Sequence, residues 1–250
     1  MSVLNTIFDK IFVLTIERNA ERHQSVKEHL TGTDFEFWYG IDVAKVFPNS
    51  DSVGLMPDAF FEEHRIDKSY VSAWTKGQLG AYTSIKNMIS EVDKKYSRAL
   101  IFEDDFVALK KDWQNILEKA VAELPDDWEI LLVGYLYYGK GYKLCYNRKL
   151  RWIFNFYNFL KEYLGIKGFV RPTPKKYSTY LDLSGTALGG HAYALSNKGA
   201  NKLMAHMTPM QKSGDILIKK LIENNEIEAY SVYPCLFGQN EKFGSKTEVV

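Results

Sequence analysis

Cysteine is nearly absent. Cys145 and Cys235 stand far apart with no C-x-x-C pair, so neither a zinc ribbon nor a disulfide framework is available to hold the fold. The expected compartment is a reducing one. Long hydrophobic runs are also missing: nothing approaches the ~20 apolar residues of a membrane span. Met1 to Lys10 has no basic start leading into an apolar stretch, so no secretory leader is read there and the chain is expected to be cytoplasmic. Internal repeats and low-complexity tracts are lacking too, which excludes a solenoid or an array. A charge excess of one sign is absent from the total, with 32 Lys and Arg against 31 Asp and Glu.

What is present is an ordinary globular composition, 250 residues with 46% apolar and 25% charged. That is enough for one large core, and a single domain over residues 1–250 is the expectation. The near-neutral total hides a lopsided distribution. Tyr137 to Tyr180 holds ten Lys or Arg residues (Lys140, Lys143, Arg148, Lys149, Arg151, Lys161, Lys167, Arg171, Lys175, Lys176) and one acid, Glu162, so this segment carries +9 and the remainder −8. Interleaved with those charges are Trp152, Phe154, Phe156, Tyr157, Phe159 and Tyr163. A basic aromatic insertion of this kind suits peripheral contact with an anionic membrane or a glycolipid. It equally suits a helical insertion whose rings form a small local core. Nucleic acid shares the signature, but no recognised module accompanies it, so no nucleic-acid partner is expected.

Hydrophobic patterning alternates between strand and helix. Ile11 to Ile16 is β-branched and apolar on nearly every position, as in a strand covered on both faces. A surface helix over Ala20 to Leu30 and a strand over Phe35 to Tyr39 complete a strand–helix–strand unit. The segment from Pro48 to Trp74 reads as irregular with modest helical character. Apolar spacings of three and four predict a helix over Leu79 to Val92, and Arg98 to Phe102 is again a buried strand. A helix from Trp113 to Leu124 ends before Pro125, and Trp128 to Gly134 is another strand. Gly189 to Leu195 predicts a strand, helices follow at Lys198 to Met207 and Asp215 to Asn224, and Glu228 to Leu236 predicts a last strand. The fold class is therefore α/β, with a mostly parallel sheet.

The third buried strand stops in Glu103-Asp104-Asp105. Adjacent carboxylates repel, and a divalent cation relieves that repulsion. In an open α/β sheet the carboxyl ends of strands face the ligand crevice. Glu103 and Asp105 fall on one side if strand geometry persists, and such hard oxygen ligands suit Mg2+ or Mn2+. The plain alternative is a solvated acidic turn before a helix. Thr15 and Ile16, at the end of the first strand, are candidates to line a base. Arg18 and Arg22 are candidates to neutralise a diphosphate, or simply a charged helix start paired with Glu17 and Glu21. Gly189 and Gly190 let backbone approach a ligand closely. His191 beside them can donate to a diphosphate oxygen, complete a metal shell, or be an ordinary hydrogen-bonded histidine. Asp215 also suits the N-cap of a helix beginning near Ile216.

Five blocks, in order, resemble a known family. They are Ile11-Phe12-Val13-Leu14-Thr15-Ile16-Glu17-Arg18 with Glu21-Arg22, Gly77-Gln78-Leu79-Gly80-Ala81-Tyr82-Thr83-Ser84, and Ala99-Leu100-Ile101-Phe102-Glu103-Asp104-Asp105. Gly190 to Ala200 follows, and then Asp215 with Leu217 and Tyr233-Pro234 with Gln239. Over about residues 11 to 245 the chain resembles glycosyltransferase family 25, the bacterial lipooligosaccharide and collagen galactosyltransferases. Gln78 stands where that family usually has Glu, Ala81 where it often has Cys, and Ile85 where a His commonly follows Ser.

The resemblance implies a GT-A-type, Rossmann-like single domain with 137–180 as an insertion. It implies an inverting transfer of a hexose, galactose from UDP-galactose foremost, to a saccharide acceptor on lipooligosaccharide or lipopolysaccharide. The implied metal ligands are Glu103, Asp105 and His191, holding Mn2+ or Mg2+. The implied donor-side residues are Thr15, Ile16, Glu17, Arg18 and Arg22, with Gly77, Gln78, Asp104, Gly190 and His191. Asp215 is the implied base, and the enzyme is expected on the inner face of the bacterial inner membrane. The changes at Gln78 and Ile85 motivate the alternative of a catalytically silent nucleotide-sugar or glycan-binding protein on the same fold.

Overall fold

The computed structural model describes residues 2–137, 146–164, 174–185, 187–212 and 214–243, with the side chains of residues 158, 161, 162, 188, 189, 215 and 241 outside that description. Cys145, Lys140, Lys143, Lys167 and Arg171 therefore lie outside the described residues. The strands are β1 (Lys10–Thr15), β2 (Glu36–Tyr39), β3 (Arg98–Glu103), β4 (Phe106–Ala108), β5 (Ile130–Leu136), β6 (Lys175–Lys176), β7 (Leu181–Leu183), β8 (Leu188–Ser196), β9 (Ala229–Val232) and β10 (Phe237–Gln239). They form one sheet in the order β2-β1-β3-β8-β5-β9-β7-β6, with β10 joining β5 to β4.

Side chains alternate across a strand, and here both faces are apolar. Phe12, Ile101 and Ile130 point into one core and Ile11, Leu100 and Leu131 into the other. The first core is closed by the Lys76–Lys95, Asn197–His206 and Gly214–Glu223 helices, through residues such as Met88, Leu203 and Ile218. The second is closed by the Ala20–His29 and Trp113–Ala122 helices, through Val26 and Leu117. The molecule is thus a three-layer mixed α/β fold. The irregular segment from Pro48 to Trp74 holds three short helical pieces, with a fourth at Val43–Val46 just before it, around a third apolar cluster that includes Val53, Met56 and Phe61. Pieces of three to six residues are too short to display a 3.6-residue period, which is why the pattern was unreadable there.

Strands β2, β1, β3, β5 and β9 run in one direction, while β8 runs against both its neighbours, β3 and β5. The sheet is therefore mixed, and the reversal at β8 shapes the site. The carboxyl ends of β1 and β3 and the amino end of β8 meet along one edge. Chain order also reverses at β1, with β2 on one side and β3 on the other, the switch point where α/β sheets open a ligand crevice. The expected final strand over Glu228 to Leu236 is the shorter β9, Ala229–Val232, and a further strand, β10, follows beyond that range. Pro234 lies between them, and proline cannot donate to a ladder.

Outside the site, Glu129 fastens β5 to its neighbours. Its Oε1 meets Lys202 Nζ at 2.6 Å and Lys198 Nζ at 3.0 Å, and its Oε2 accepts from Glu228 N–H at 2.8 Å. Burial works to raise its pKa, but Lys202, the Glu228 amide and Lys198 together hold it below the ordinary value of 4.5. A carboxylate depressed on folding adds stability above its unfolded pKa and loses it as pH falls through the folded one. Glu129→Gln is expected to cost roughly 1–3 kcal/mol at neutral pH, a deficit that urea melts should show vanishing below the folded pKa. An equal deficit at acid and neutral pH would mean that packing, not charge, is at stake.

Candidate active site

The crevice at the switch point is a cavity of about 1100 Å³. That is at or beyond the top of the ~300–1,000 Å³ range of small-molecule sites and leaves room for a nucleotide sugar with part of an acceptor. Of the residues singled out in the sequence, Thr15, Ile16, Arg18, Arg22, Gly77, Gln78, Glu103, Asp104, Asp105, Gly190 and His191 all line it. Glu17 is not on that wall; it pairs with Lys45 at 3.2 Å on the surface. Asp215 is in the first turn of the Gly214–Glu223 helix rather than at its N-cap, flanked in sequence by the wall residues Lys212 and Ile216. The Asp215 side chain lies outside the described residues.

The acidic triplet departs from both sequence expectations about its geometry. Strand β3 ends at Glu103, and Asp104 and Asp105 form a turn into β4, so the two-residue alternation does not continue through Asp105. No helix follows immediately, and the turn is not solvated: Asp104 is 5% exposed and Asp105 8%. Phe106 is the reason, because its ring packs on Phe102 and Phe237 at 4.4 and 5.6 Å and draws the turn inward. Asn240 N–H donates to the Asp105 carbonyl at 2.7 Å, pinning the turn from the β10 side.

The three carboxylates are in different states. Asp104 accepts from Thr15 Oγ1 at 2.5 Å, Asn19 Nδ2 at 2.8 Å and Arg22 Nη1 at 2.6 Å. It is a hub that locks the first strand-to-helix connection to β3. Asp105 has one oxygen 3.9 Å from Arg22 Nη1, while its Oδ1 is buried with no hydrogen-bond partner among the described residues. Burial foremost, with Asp104 adding and Arg22 opposing, pushes the Asp105 carboxyl above its ordinary pKa. Continuing the β3–β8 register by one residue beyond Phe102↔Ala192 sets Glu103 opposite His191.

His191 is 3% exposed, and burial lowers its pKa, keeping it neutral at neutral pH. Its Nε2 lies 3.3 Å from the Phe237 carbonyl, which can only accept, so Nε2 carries the proton. Gly134 makes room for the ring: a Cβ there would stand 2.6 Å from Nε2. Among the described residues no three His, Cys, Asp or Glu side chains converge as a metal cage, so His191 does not complete a preformed three-ligand set. Two carboxylates with an orphaned buried oxygen still fit a hard cation, because Mg2+ and its like are commonly held by one or two carboxylates plus substrate phosphates.

The opposite wall is cationic and helical. Arg18 Nε meets Asp42 Oδ2 at 3.2 Å and keeps an exposed side chain. The Lys76–Lys95 helix begins on the cavity wall, turning its positive end toward it, the usual setting for an anion. Gln78 explains its own departure from the family pattern. It is the third residue of a capping box, its Oε1 accepting from Thr75 N–H at 2.9 Å while its amide donates to Thr75 Oγ1 at 3.1 Å. Glu and Gln serve that role alike, so the change carries no sign of lapsed chemistry. Gly80 permits close approach of this helix, since a Cβ would meet the Ile41 carbonyl at 2.5 Å. Ser84 Oγ fixes the same loop by accepting from Ile41 N–H at 2.8 Å.

Sequence reasoning missed Asn19, Asp42, Lys76 and Lys212 on the wall, whereas Tyr82 was quoted within the second family block. Asn19 and Lys76 sit beside singled-out residues, but no pattern marked them. Gln239, quoted within the last family block, also lines the cavity. Among the described residues no helix is long and apolar enough to cross a membrane. A comparison with curated proteins gives no match. A family model described as glycosyltransferase family 25 (LPS biosynthesis protein) matches residues 8–218. With five-sixths of the chain matched, the chain belongs to glycosyltransferase family 25, a family of lipopolysaccharide biosynthesis.

Proposed function

We propose that the chain is an inverting, GT-A-type hexosyltransferase that moves a sugar, galactose from UDP-galactose foremost, onto a saccharide of a growing lipopolysaccharide or lipooligosaccharide. The observation that carries this reading is the buried, unpartnered Oδ1 of Asp105 beside Glu103 at the switch-point crevice. Glu103 and Asp105 are the residues suited to hold Mn2+ or Mg2+. When bound, such a cation supplies charge neutralisation for the departing diphosphate, worth several kcal/mol at the transition state. Arg18 and the Lys76–Lys95 helix start offer further positive charge to the same group. Thr15 and Ile16, on the cavity wall, are assigned to line the base, and neutral His191 can hydrogen-bond but adds no charge.

In the single displacement, the acceptor hydroxyl oxygen bonds to the anomeric carbon as the bond to the diphosphate oxygen breaks. Asp215 takes the hydroxyl proton. Asp215→Asn is expected to lower kcat by about a hundredfold with donor affinity unchanged, the effect of losing a positioned base. Full turnover in that variant would remove Asp215 from the role. The reading as a whole is tested by UDP release from UDP-sugars with Mn2+, with and without acceptor glycan. Acceptor-dependent release supports it; nucleotide binding with no turnover across donors and acceptors would make the chain a silent binder instead.

A further inference from the structure

The basic insertion contains a helix with its apolar side outward. At 3.6 residues per turn, Trp152, Ile153, Phe156, Phe159, Leu160 and Tyr163 fall on one stripe of the Arg151–Tyr163 helix. A surface helix normally turns such a stripe to the core. Here Trp152 is 66% exposed, Phe159 59% and Tyr163 78%, while Arg151 and Phe154 face the protein. The rings do not form a local core.

That orientation is built in. Asp182 of β7 is fully buried and receives Arg151 Nη2 at 2.6 Å and Arg148 Nε at 2.9 Å. The Arg148 guanidinium also lies 4.0 Å from the Tyr233 ring centroid. The start of the helix is thereby bolted to the sheet through Arg151, with the Phe154 ring on the same inward side. Beside it, Lys149 and the edge-strand residues Lys175 and Lys176 are exposed. Lys176 pairs in register with Asp182 itself. Within 137–180 the one acid is Glu162.

An apolar stripe of Trp, Phe and Tyr with a cationic rim matches one partner, the interface of an anionic bilayer. The helix has 13 residues, about 20 Å at ~1.5 Å per residue, too short for a hydrocarbon core of ~30 Å. It can therefore lie in the interface and not cross it. Lipopolysaccharide is a saccharide on a lipid, so an enzyme of its biosynthesis meets its acceptor at a membrane.

We propose that the Arg151–Tyr163 helix is an in-plane anchor that docks the enzyme on an anionic lipid surface. The proposal stands apart from the donor and metal assignments, because it is read without sugar or cation. The experiment is flotation of the full chain with vesicles of phosphatidylcholine alone and of phosphatidylcholine mixed with phosphatidylglycerol. The wild type is expected to float with the mixed vesicles, less so as salt rises. Trp152→Ser, Phe156→Ser and Phe159→Ser together are expected to cut that binding by about tenfold or more, with thermal melting unchanged because all three side chains face outward. Lys175→Glu with Lys176→Glu should weaken binding to the mixed vesicles only. Equal flotation of wild type and the triple variant overturns the proposal. So does a wild type that ignores vesicles but forms a dimer split by the triple substitution, which would make the stripe a self-association face.

Discussion

Asp105→Asn is expected to lower sugar transfer by roughly a thousandfold, the several kcal/mol that charge neutralisation contributes to such a reaction, without lowering stability in the absence of metal. The two halves of that result have one cause. Burial raises the Asp105 pKa, and the Oδ1 has no donor. A carboxyl whose pKa is raised on folding becomes a liability as pH climbs from the ordinary 3.8 through the folded value. Asparagine has nearly the same shape and no charge, so the metal-free variant should melt no lower than wild type at neutral pH. Mn2+ with UDP should raise the wild-type Tm and leave the variant's unchanged. A variant that keeps either full activity or the Mn2+ shift would take Asp105 out of the metal site.

The second large effect is expected at Arg22→Leu, a loss of about 3–5 kcal/mol in folding stability, as when one member of a buried ion pair is removed. The Arg22 side chain is only 11% exposed, and its Nη1 serves Asp104 at 2.6 Å and Asp105 at 3.9 Å. Nη2 donates to the Phe243 carbonyl at 3.3 Å. Leucine replaces the volume and leaves two buried carboxylates facing each other. Lysine should rescue little, because a point charge cannot reach the Asp104 oxygen and the Phe243 carbonyl as the guanidinium fork does. Asp104→Asn in the Arg22→Leu background should recover part of the loss, and urea melts of the four proteins give the coupling directly. A deficit under about 1 kcal/mol would mean that the pair is solvated in solution.

The buried strands and the acidic triplet were legible because their signals are local. Ile11 to Ile16 and Arg98 to Phe102 predicted β1 and β3 to within a residue or so at each end. The direction of β8 was not legible, since a strand buried on both faces reads the same whichever way it runs. Yet that direction brings Gly190 and His191 to the edge where β3 ends. The family resemblance implied a donor-side role for Asp104, but its hub of hydrogen bonds was not legible. Its partner Arg22 is 82 residues away in sequence, and no periodicity reports a contact of that range. The amphipathic stripe from Trp152 to Tyr163 was visible as composition, but which face meets solvent depended on Asp182, a residue that no motif marked.

The clamp on the Asp105 carbonyl has a consequence for how the protein is made. Strands β1 and β3 are complete by Glu103, but the turn that carries Asp105 is held by β10 and Asn240. A nascent chain that has emerged only through β9 has most of the sheet and none of that clamp. Contacts so distant in sequence form late, because the long loop must close first. The crevice is thus finished only once β10 and Asn240 have been synthesised, and until then a growing chain holds the Asp105 turn without its clamp.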